Sequence, residues 1–479
     1  MTGEGALPDL RYGRLGRNVG FSTVSFGLRV GVNVILIVLA ARVLSTQGFG
    51  QYTLAISLGS IFVVLCDYGF NFLVTREVAR NAAAAGEFLP NGALAKAVLS
   101  LAALLLLGAT LDVLGASRTV VAASVIIMLS FLANSYGSYL TAAFKGLQRF
   151  DYETLSNVIL YAVLLAAQGA VLWLAASPVN LALCFLFARL VYLGVCVTLY
   201  RRVVRVGWQR PSLGRSWQML AQASPFALYA FSAVLSVQLG TVILSYFAGE
   251  TAVGQFQQAL RFGMAATIPL AIAEDVFYAF LSDVRARAPD QFARGVVRLN
   301  KVGAAVIVPL TLASLLYGQE LVRAAYGART GAVVGESLMV VMGAYFCLYF
   351  LFLSPPLMAM GLERANLIIW GVGAGINVVA NLLLIPAWGV LGASWALFIT
   401  YAAMKLLFLA GTWRYQLRIA DWDLFVRCVV PQVGACIILR ALAVPAPVGL
   451  TLLGAMAVVL GWSLAPRRLW AEALSSVGQ

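Results

Sequence analysis

Apolar stretches of about 18 residues or more recur along this chain from one end to the other, each long enough to cross about 30 Å of hydrocarbon as a helix. That recurrence leaves few folds open. Inside lipid every backbone N–H and C=O must be satisfied within the chain, so only helices and closed barrels remain. A barrel reads as short segments of alternating polarity, and the sequence shows none. The expected fold is an all-α polytopic membrane protein. Its 62% hydrophobic and 11% charged residues agree, because a soluble domain needs about 25% charged residues to cover its surface.

Fourteen transmembrane helices are expected, near 20–43, 50–72, 91–114, 119–144, 153–175, 179–200, 220–247, 252–281, 297–317, 334–359, 366–386, 389–411, 424–443 and 447–465. The breaks carry turn and end signals such as "STQGFG", "FLPNG", "ASPVN" and "VPAPVG". Lys and Arg orient the spans, because short cytoplasmic loops retain them. With the N-terminus inside, inner segments hold Arg11, Arg14 and Arg17, Lys145 and Arg149, and Arg201, Arg202, Arg205, Arg210 and Arg215, with further basic residues in later loops. Outer segments hold only Arg118, Arg323 and Arg329. Both termini are therefore expected in the cytoplasm. The net charge of +14 is this bias, and it implies no nucleic-acid partner. The opening "MTGEGALPDLRYGRLGRNVG" leads into a span too long for a cleavable signal.

Several chemistries drop out. The chain has no histidine, which removes Ser-His-Asp hydrolysis and His-ligated metals. No Gly-rich phosphate loop followed by Lys and Ser/Thr occurs, so ATP hydrolysis is not expected. The six cysteines all fall in apolar stretches without a CxxC pair, and read as reduced core residues. No cofactor and no metal are expected, and no loop is long enough for a soluble catalytic domain. The chain does not read as an enzyme.

Two short motifs recur at matched places. "GFGQY" (48–52) opens the second span and "AVGQF" (252–256) opens the eighth; "GLQR" (146–149) links spans four and five, and "GLER" (361–364) links ten and eleven. Each pair is displaced by six spans. Six is even, so two copies would share one orientation, as in parallel-repeat carriers. The expected domains are an N-lobe over 1–200, a basic cytoplasmic linker of amphipathic pattern over 201–219, a C-lobe over 220–411, and two further helices with a tail over 412–479.

A charge inside a membrane helix costs at least about 2.5 kcal/mol, so each marks a candidate site. Ser22, Ser25, Arg29 and Asn33 share one face of the first span, with Arg29 near mid-depth. Gln255, Gln258 and Arg261 line one face of the eighth. Ser57, Ser60, Asp67 and Asn71 line one face of the second, and Glu274 and Asp275 lie at a depth comparable to Asp67. This pattern predicts a wet cleft between the lobes, cationic at its centre and acidic near its inner mouth. A guanidinium offers forked donors to phosphate oxygens, so Arg29 and Arg261 are the expected diphosphate-binding pair. The serines, Asn33 and the two glutamines are expected to line the cleft, and Asp67, Glu274 and Asp275 to couple or gate. Arg189 lacks a polar stripe on its helix and is set aside. Lys96 and Lys405, nearer the cytoplasmic ends, are expected to be structural and able to snorkel.

The stretch "LAARVLSTQGFGQYTLAISLGSIFVVLCDYGFNFLVTREVAR" (39–80) resembles the first helix pair of bacterial lipid-linked-oligosaccharide flippases, the polysaccharide-transporter branch of the multidrug/oligosaccharidyl-lipid/polysaccharide exporter superfamily. "SPFALYAFSAVLSVQLGTVILSYFAGETAVGQFQQALRF" (224–262) resembles that family's helices 7–8, and "INVVANLLLIPAWGVLGASWALFITY" (376–401) its helices 11–12. The resemblance implies two six-helix lobes that carry an undecaprenyl-diphosphate-linked glycan from the inner to the outer leaflet by alternating access, for O-antigen, capsule or exopolysaccharide synthesis. It implies a bacterial inner-membrane location, with membrane lipid, a glycan polymerase and chain-length machinery as partners. It also implies that basic residues on helices 1, 2, 7 and 8 meet the diphosphate. One departure matters: helix 7 of that family often carries an acid where this chain has Gly240. Two alternatives stand beside this reading. A multidrug exporter of the same superfamily predicts an acidic cavity and twelve helices. A membrane-embedded glycan polymerase or ligase predicts a long outer loop with reactive groups.

Overall fold

A computed structural model describes residues 12–464 apart from 205, 206, 208, 329 and 418. Arg11, Arg205 and Arg329 lie outside the described residues. The helices are α1 (Tyr12–Val43), α2 (Thr46–Asp67), α3 (Phe70–Arg80), α4 (Ala85–Val113), α5 (Arg118–Gly146), α6 (Phe150–Leu174), α7 (Pro178–Val203), α8 (Leu213–Arg287), α9 (Phe292–Tyr326), α10 (Ala332–Tyr349), α11 (Ser354–Ala359), α12 (Glu363–Arg414), α13 (Val430–Ala441) and α14 (Ala446–Leu464). Among the described residues there is no strand.

Ten helices among the described residues are long and apolar enough to cross a membrane. Two of these are hairpins rather than rods. The stretches Val237–Arg287 and Glu363–Arg414 run for 51 and 52 residues. Within them Gly249 (φ 78, ψ −179) and Gly389 (φ 52, ψ −119) leave helical geometry. Gln257 Nε2 donates to Thr241 Oγ1 at 2.7 Å across Gly249. In a straight helix those residues would stand about 24 Å apart, so the chain doubles back. Asn377 Nδ2 likewise donates to Thr400 Oγ1 at 3.1 Å across Gly389. Counting each hairpin as two spans, and adding the shorter apolar helices Val430–Ala441 and Ala446–Leu460, gives about fourteen membrane segments. Both turns need a positive φ that L-residues rarely adopt. Gly389→Ala is expected to cost about 1–3 kcal/mol, read as a lowered unfolding midpoint. Gly371→Ala, at an exposed helical site with nothing within 4 Å of the new methyl, should leave the midpoint level or higher.

The chain divides into two compact units, Met1–Val234 and Leu235–Gln479. In the first, α5 packs against α2, α3, α4, α6 and α7. Small residues permit the close approach that lipid-embedded helices rely on. A methyl at Gly137 would lie 2.3 Å from the Tyr192 ring, so α7 can press this near α5 only over glycine. Ser45, Ser117 and Ser177 cap α2, α5 and α7, each accepting from the amide three residues on. Each such cap is worth about 1 kcal/mol. The basic linker does not lie apart from the bundle. Gln209 N donates to Gly86 O (2.9 Å), Ser212 N to Asn91 Oδ1 (2.8 Å), and Arg215 Nε pairs with Glu87 (2.6 Å), which ties it to the start of α4. Helix α8 begins there, at Leu213, seven residues before the expected seventh span.

In the second unit α9 packs against α10, α13 and α14, and α10 against α12. An ionic latch holds the segment before α13. Lys301 Nζ lies 3.0 Å from Asp421 and 2.5 Å from Asp423, and Arg427 Nε lies 2.6 Å from Asp423. The hydrogen bond from Lys301 is the main cause that holds the Asp423 carboxyl below the usual carboxylate range. A depressed folded-state value stabilises above the unfolded value, about 3.9, and that stabilisation disappears as pH falls through the folded one. Acidifying from pH 7 to below about pH 4 should therefore loosen this segment. Protease access to 416–424 reads it out, and Asp423→Asn should already show at pH 7 part of the access that wild type gains only in acid.

Two expected spans are interrupted. The second breaks at Tyr68 (φ 42) and Gly69 (φ 77), between α2 and α3. Asp67 and Asn71 therefore do not share one continuous helical face. The tenth breaks at 350–353, with Leu351 at φ 61, before the short α11. Hydropathy measures apolarity and is blind to such breaks.

Candidate functional site

Helix α1 buries Val32, Leu36 and Ala40, at helical spacing, and packs chiefly against α6. The predicted polar stripe divides. Ser25 is buried and its hydroxyl accepts from Asn157 Nδ2 of α6 at 2.8 Å. Arg29 and Asn33 are exposed. Asn33 Nδ2 donates to Arg29 O at 2.7 Å, and the Arg29 guanidinium sits 5.1 Å from the Phe26 ring centre. No carboxylate pairs with Arg29 among the described residues. An exposed guanidinium at mid-span is costly against hydrocarbon, so this face suits water or an anion. The Ser22 side chain lies outside the described residues.

Arg189 of α7, set aside on sequence grounds, is the larger surprise. Its Nη1 donates to Ser130 Oγ of α5 at 2.9 Å, and its guanidinium carbon lies 4.3 Å from the Phe131 ring centre and 4.7 Å from that of Phe185. The Tyr161 hydroxyl of α6 stands in electrostatic reach of both Arg29 and Arg189, with Asn33 beside it. Phe185 lies four residues back on α7 itself, but Ser130, Phe131 and Tyr161 come from α5 and α6, so no pattern within α7 could have shown them.

In the second unit Arg261 Nε donates to Gln257 Oε1 at 3.1 Å, and Gln257 in turn donates to Thr241. Tyr326 and Tyr345 are within electrostatic reach of Arg261. The three-residue stripe does not hold as a line of exposed groups. Gln258 is buried, and its backbone carbonyl accepts from Tyr326 Oη at 3.0 Å; Gln255 is half-buried. The residue joined to Arg261 is Gln257, four positions back, which the spacing of three passed over. Glu274 is half-buried and lines a narrow pocket with Lys405, Tyr401 and Trp370. The Asp275 side chain lies outside the described residues.

The two lysines do not snorkel. Lys96 is fully buried; its Nζ lies 2.6 Å from Ser135 Oγ, 3.1 Å from Asp67 Oδ1 and 3.2 Å from Cys66 O. It thus satisfies a carbonyl freed by the break in the second span and neutralises Asp67. Lys405 does the same for the tenth span, donating to the carbonyls of Phe350 and Leu351. Non-helical backbone at membrane depth persists only where such partners exist. Ser57 is buried inside the first unit, and Ser60 Oγ bonds back to Ile56 O at 2.7 Å.

Around Gly240 the surroundings are amide and hydroxyl. A Cβ on Gly240 would meet Asn381 Oδ1 at 2.9 Å, and Asn381 Nδ2 donates to Asn377 Oδ1 at 2.9 Å. Asn377, Asn381 and Thr400 are all buried, and among the described residues the hydrogen bonds that join them run through amide, hydroxyl and backbone carbonyl groups.

The sequence matches the family described as polysaccharide biosynthesis protein over residues 15–279. No curated protein sequence matches the chain. Its fold is similar to the lipid II flippase MurJ in an inward closed conformation, at TM-score 0.72 and 12% identity over 95% of this chain and 99% of that one. It is also similar to an inward-facing multidrug resistance MATE family transporter of the MOP superfamily, at TM-score 0.61 and 14% identity over 80% and 94%. A MOP superfamily transporter from Pyrococcus furiosus gives TM-score 0.55 and 14% identity over 85% and 96%. At these identities the likeness is one of fold.

Proposed function

The chain belongs to the polysaccharide biosynthesis protein family, and on that premise we propose that it flips undecaprenyl-diphosphate-linked oligosaccharide repeat units from the inner to the outer leaflet. It is a multi-pass membrane protein with the fold of a transporter superfamily that includes flippases. The observation that carries the substrate class is Arg29, an exposed guanidinium at mid-span with no carboxylate partner among the described residues. Arg29 and Arg261 engage the diphosphate while the polyprenyl tail stays in lipid, and the two units alternate access without covalent chemistry. Asn33 and Gln255 add polar contacts along the path. Asp67, paired to Lys96, serves the broken second span; Glu274 and Asp275 remain the gate candidates.

A dianionic head leaving a negative-inside cell is favoured by about 2.3 kcal/mol per charge per 100 mV, so the membrane potential itself can drive export. We place the protein in a bacterial inner membrane with both termini cytoplasmic, next to a glycan polymerase and chain-length machinery. The multidrug-exporter reading shares the fold, yet cationic drugs need acidic groups where this first unit presents arginine. The polymerase reading needs outer loops with reactive groups, and the connection from α9 to α10 spans only 327–331.

The test is a deletion strain. Undecaprenyl-diphosphate oligosaccharide should accumulate facing the cytoplasm and clear on complementation. An unchanged leaflet distribution, with sensitivity to cationic drugs instead, would favour the exporter.

A further inference from the structure

We propose that Arg189, together with Arg29, forms a two-guanidinium subsite in the first unit that takes an oxyanion of the translocated substrate. This deepens the flippase reading and rests on it.

Ion pairs already engage five carboxylates of this unit: Asp67 with Lys96, Glu77 with Arg76 and Arg80, Glu87 with Arg215, Asp151 with Arg149, and Glu153 with Lys145. The remaining described acid, Asp112, sits in the last turn of α4. Arg29 and Arg189, which lie away from the ends of their membrane helices, form no ion pair with a carboxylate among the described residues. Such charges are costly in hydrocarbon and are stabilised by an anion that arrives from outside the chain.

Geometry says which anion chemistry fits. Phe131 and Phe185 lie against the Arg189 guanidinium at 4.3 and 4.7 Å, and the bond to Ser130 Oγ fixes its rotation. One of its five N–H donors is used there. A planar fork held in this way is preorganised for the bidentate oxygens of a phosphate or a carboxylate, and a lysine would keep the charge without the fork. Around it stand hydroxyl and amide groups rather than acids. Tyr161 is in electrostatic reach of both arginines, and Tyr52 Oη, on a ring 6.2 Å from Phe185, accepts from the buried Gln168 at 3.1 Å. The oxyanion has two sources, the carrier diphosphate or a carboxylate on a glycan sugar.

The test uses the purified full-length protein in detergent, with inorganic pyrophosphate and glucuronate as separate probes and the unfolding midpoint measured in parallel. Arg189→Gln should weaken binding of at least one probe about tenfold or more, with the midpoint little changed, and Arg189→Lys should recover only part. Loss confined to pyrophosphate assigns the diphosphate; loss confined to glucuronate assigns an acidic sugar. Unchanged affinity for both probes overturns the subsite and makes Arg189 a packing cation, whatever its effect on the midpoint. If Arg29→Gln still abolishes pyrophosphate binding in that case, the flippase reading stands without Arg189. If the wild-type protein binds neither probe, the subsite and the diphosphate role of Arg29 fall together.

Discussion

Replacing Arg29 with alanine is expected to stop translocation at normal expression levels while leaving the protein folded. Truncating one partner of a charged, hydrogen-bonded contact costs about 2–5 kcal/mol, so flux should drop at least about 30-fold. Stability should change little, because Arg29 is exposed and its side chain touches chiefly the Phe26 ring. Arg261→Ala should lose flux to a similar degree but also some stability, since it strips Gln257 of a donor. Arg29→Lys keeps the charge and loses the fork, and should fall between wild type and alanine. The check is complementation of a deletion strain at matched membrane abundance. Full activity in the Arg29→Ala, Arg261→Ala double variant would refute the assignment of both residues, though not the fold.

The largest stability effect is expected at Asp67 and Lys96. Asp67→Asn leaves the fully buried Lys96 with one serine, one carbonyl and two tyrosine rings at 5.5 and 5.7 Å, and no opposite charge. Lys96 is fully buried but Asp67 is 39% exposed, so the loss should fall below the about 3–5 kcal/mol of a pair buried on both sides, at roughly 2–3 kcal/mol. The unfolding midpoint should fall by a few degrees, about 1 °C per kcal/mol for a chain of 479 residues. Lys96→Met should be comparably harmful, since it also frees the Cys66 carbonyl at the break in the second span. The double variant should be less damaged than the sum of the singles, because neither stranded charge remains. Additive losses would mean that the pair does not act as a unit.

The spans were legible because hydropathy and positive loops report the lipid boundary directly. The recurrent motifs also fall at matched points: "GFGQY" follows the Ser45 cap of α2 and "AVGQF" follows the turn at Gly249, so both open a segment after a break. What hydropathy could not show is where a span breaks, since Tyr68–Gly69 and Leu351 depend on backbone angles that apolar composition does not encode. For the same reason Lys96 and Lys405 could be read only as structural cations able to snorkel, not as the partners of carbonyls at a neighbouring break.

Of the candidate site, Arg29 and Asn33 could be read because they share one exposed face of one helix. Ser25 belongs to the same stripe yet turns to Asn157, and Arg261 answers to Gln257 rather than to Gln258. A stripe on a helical wheel fixes angle, not the neighbour that meets it. Arg189 was passed over because Ser130, Phe131 and Tyr161 approach it from other helices.

The most direct measurement is reconstitution of the purified protein into liposomes loaded with a polyprenyl-diphosphate oligosaccharide, with a glycosidase outside to count the molecules reaching the outer leaflet. The account predicts protein-dependent exposure of the sealed-in pool, lost with Arg29→Ala. Equal exposure in protein-free vesicles, or undiminished exposure with that substitution, would contradict it.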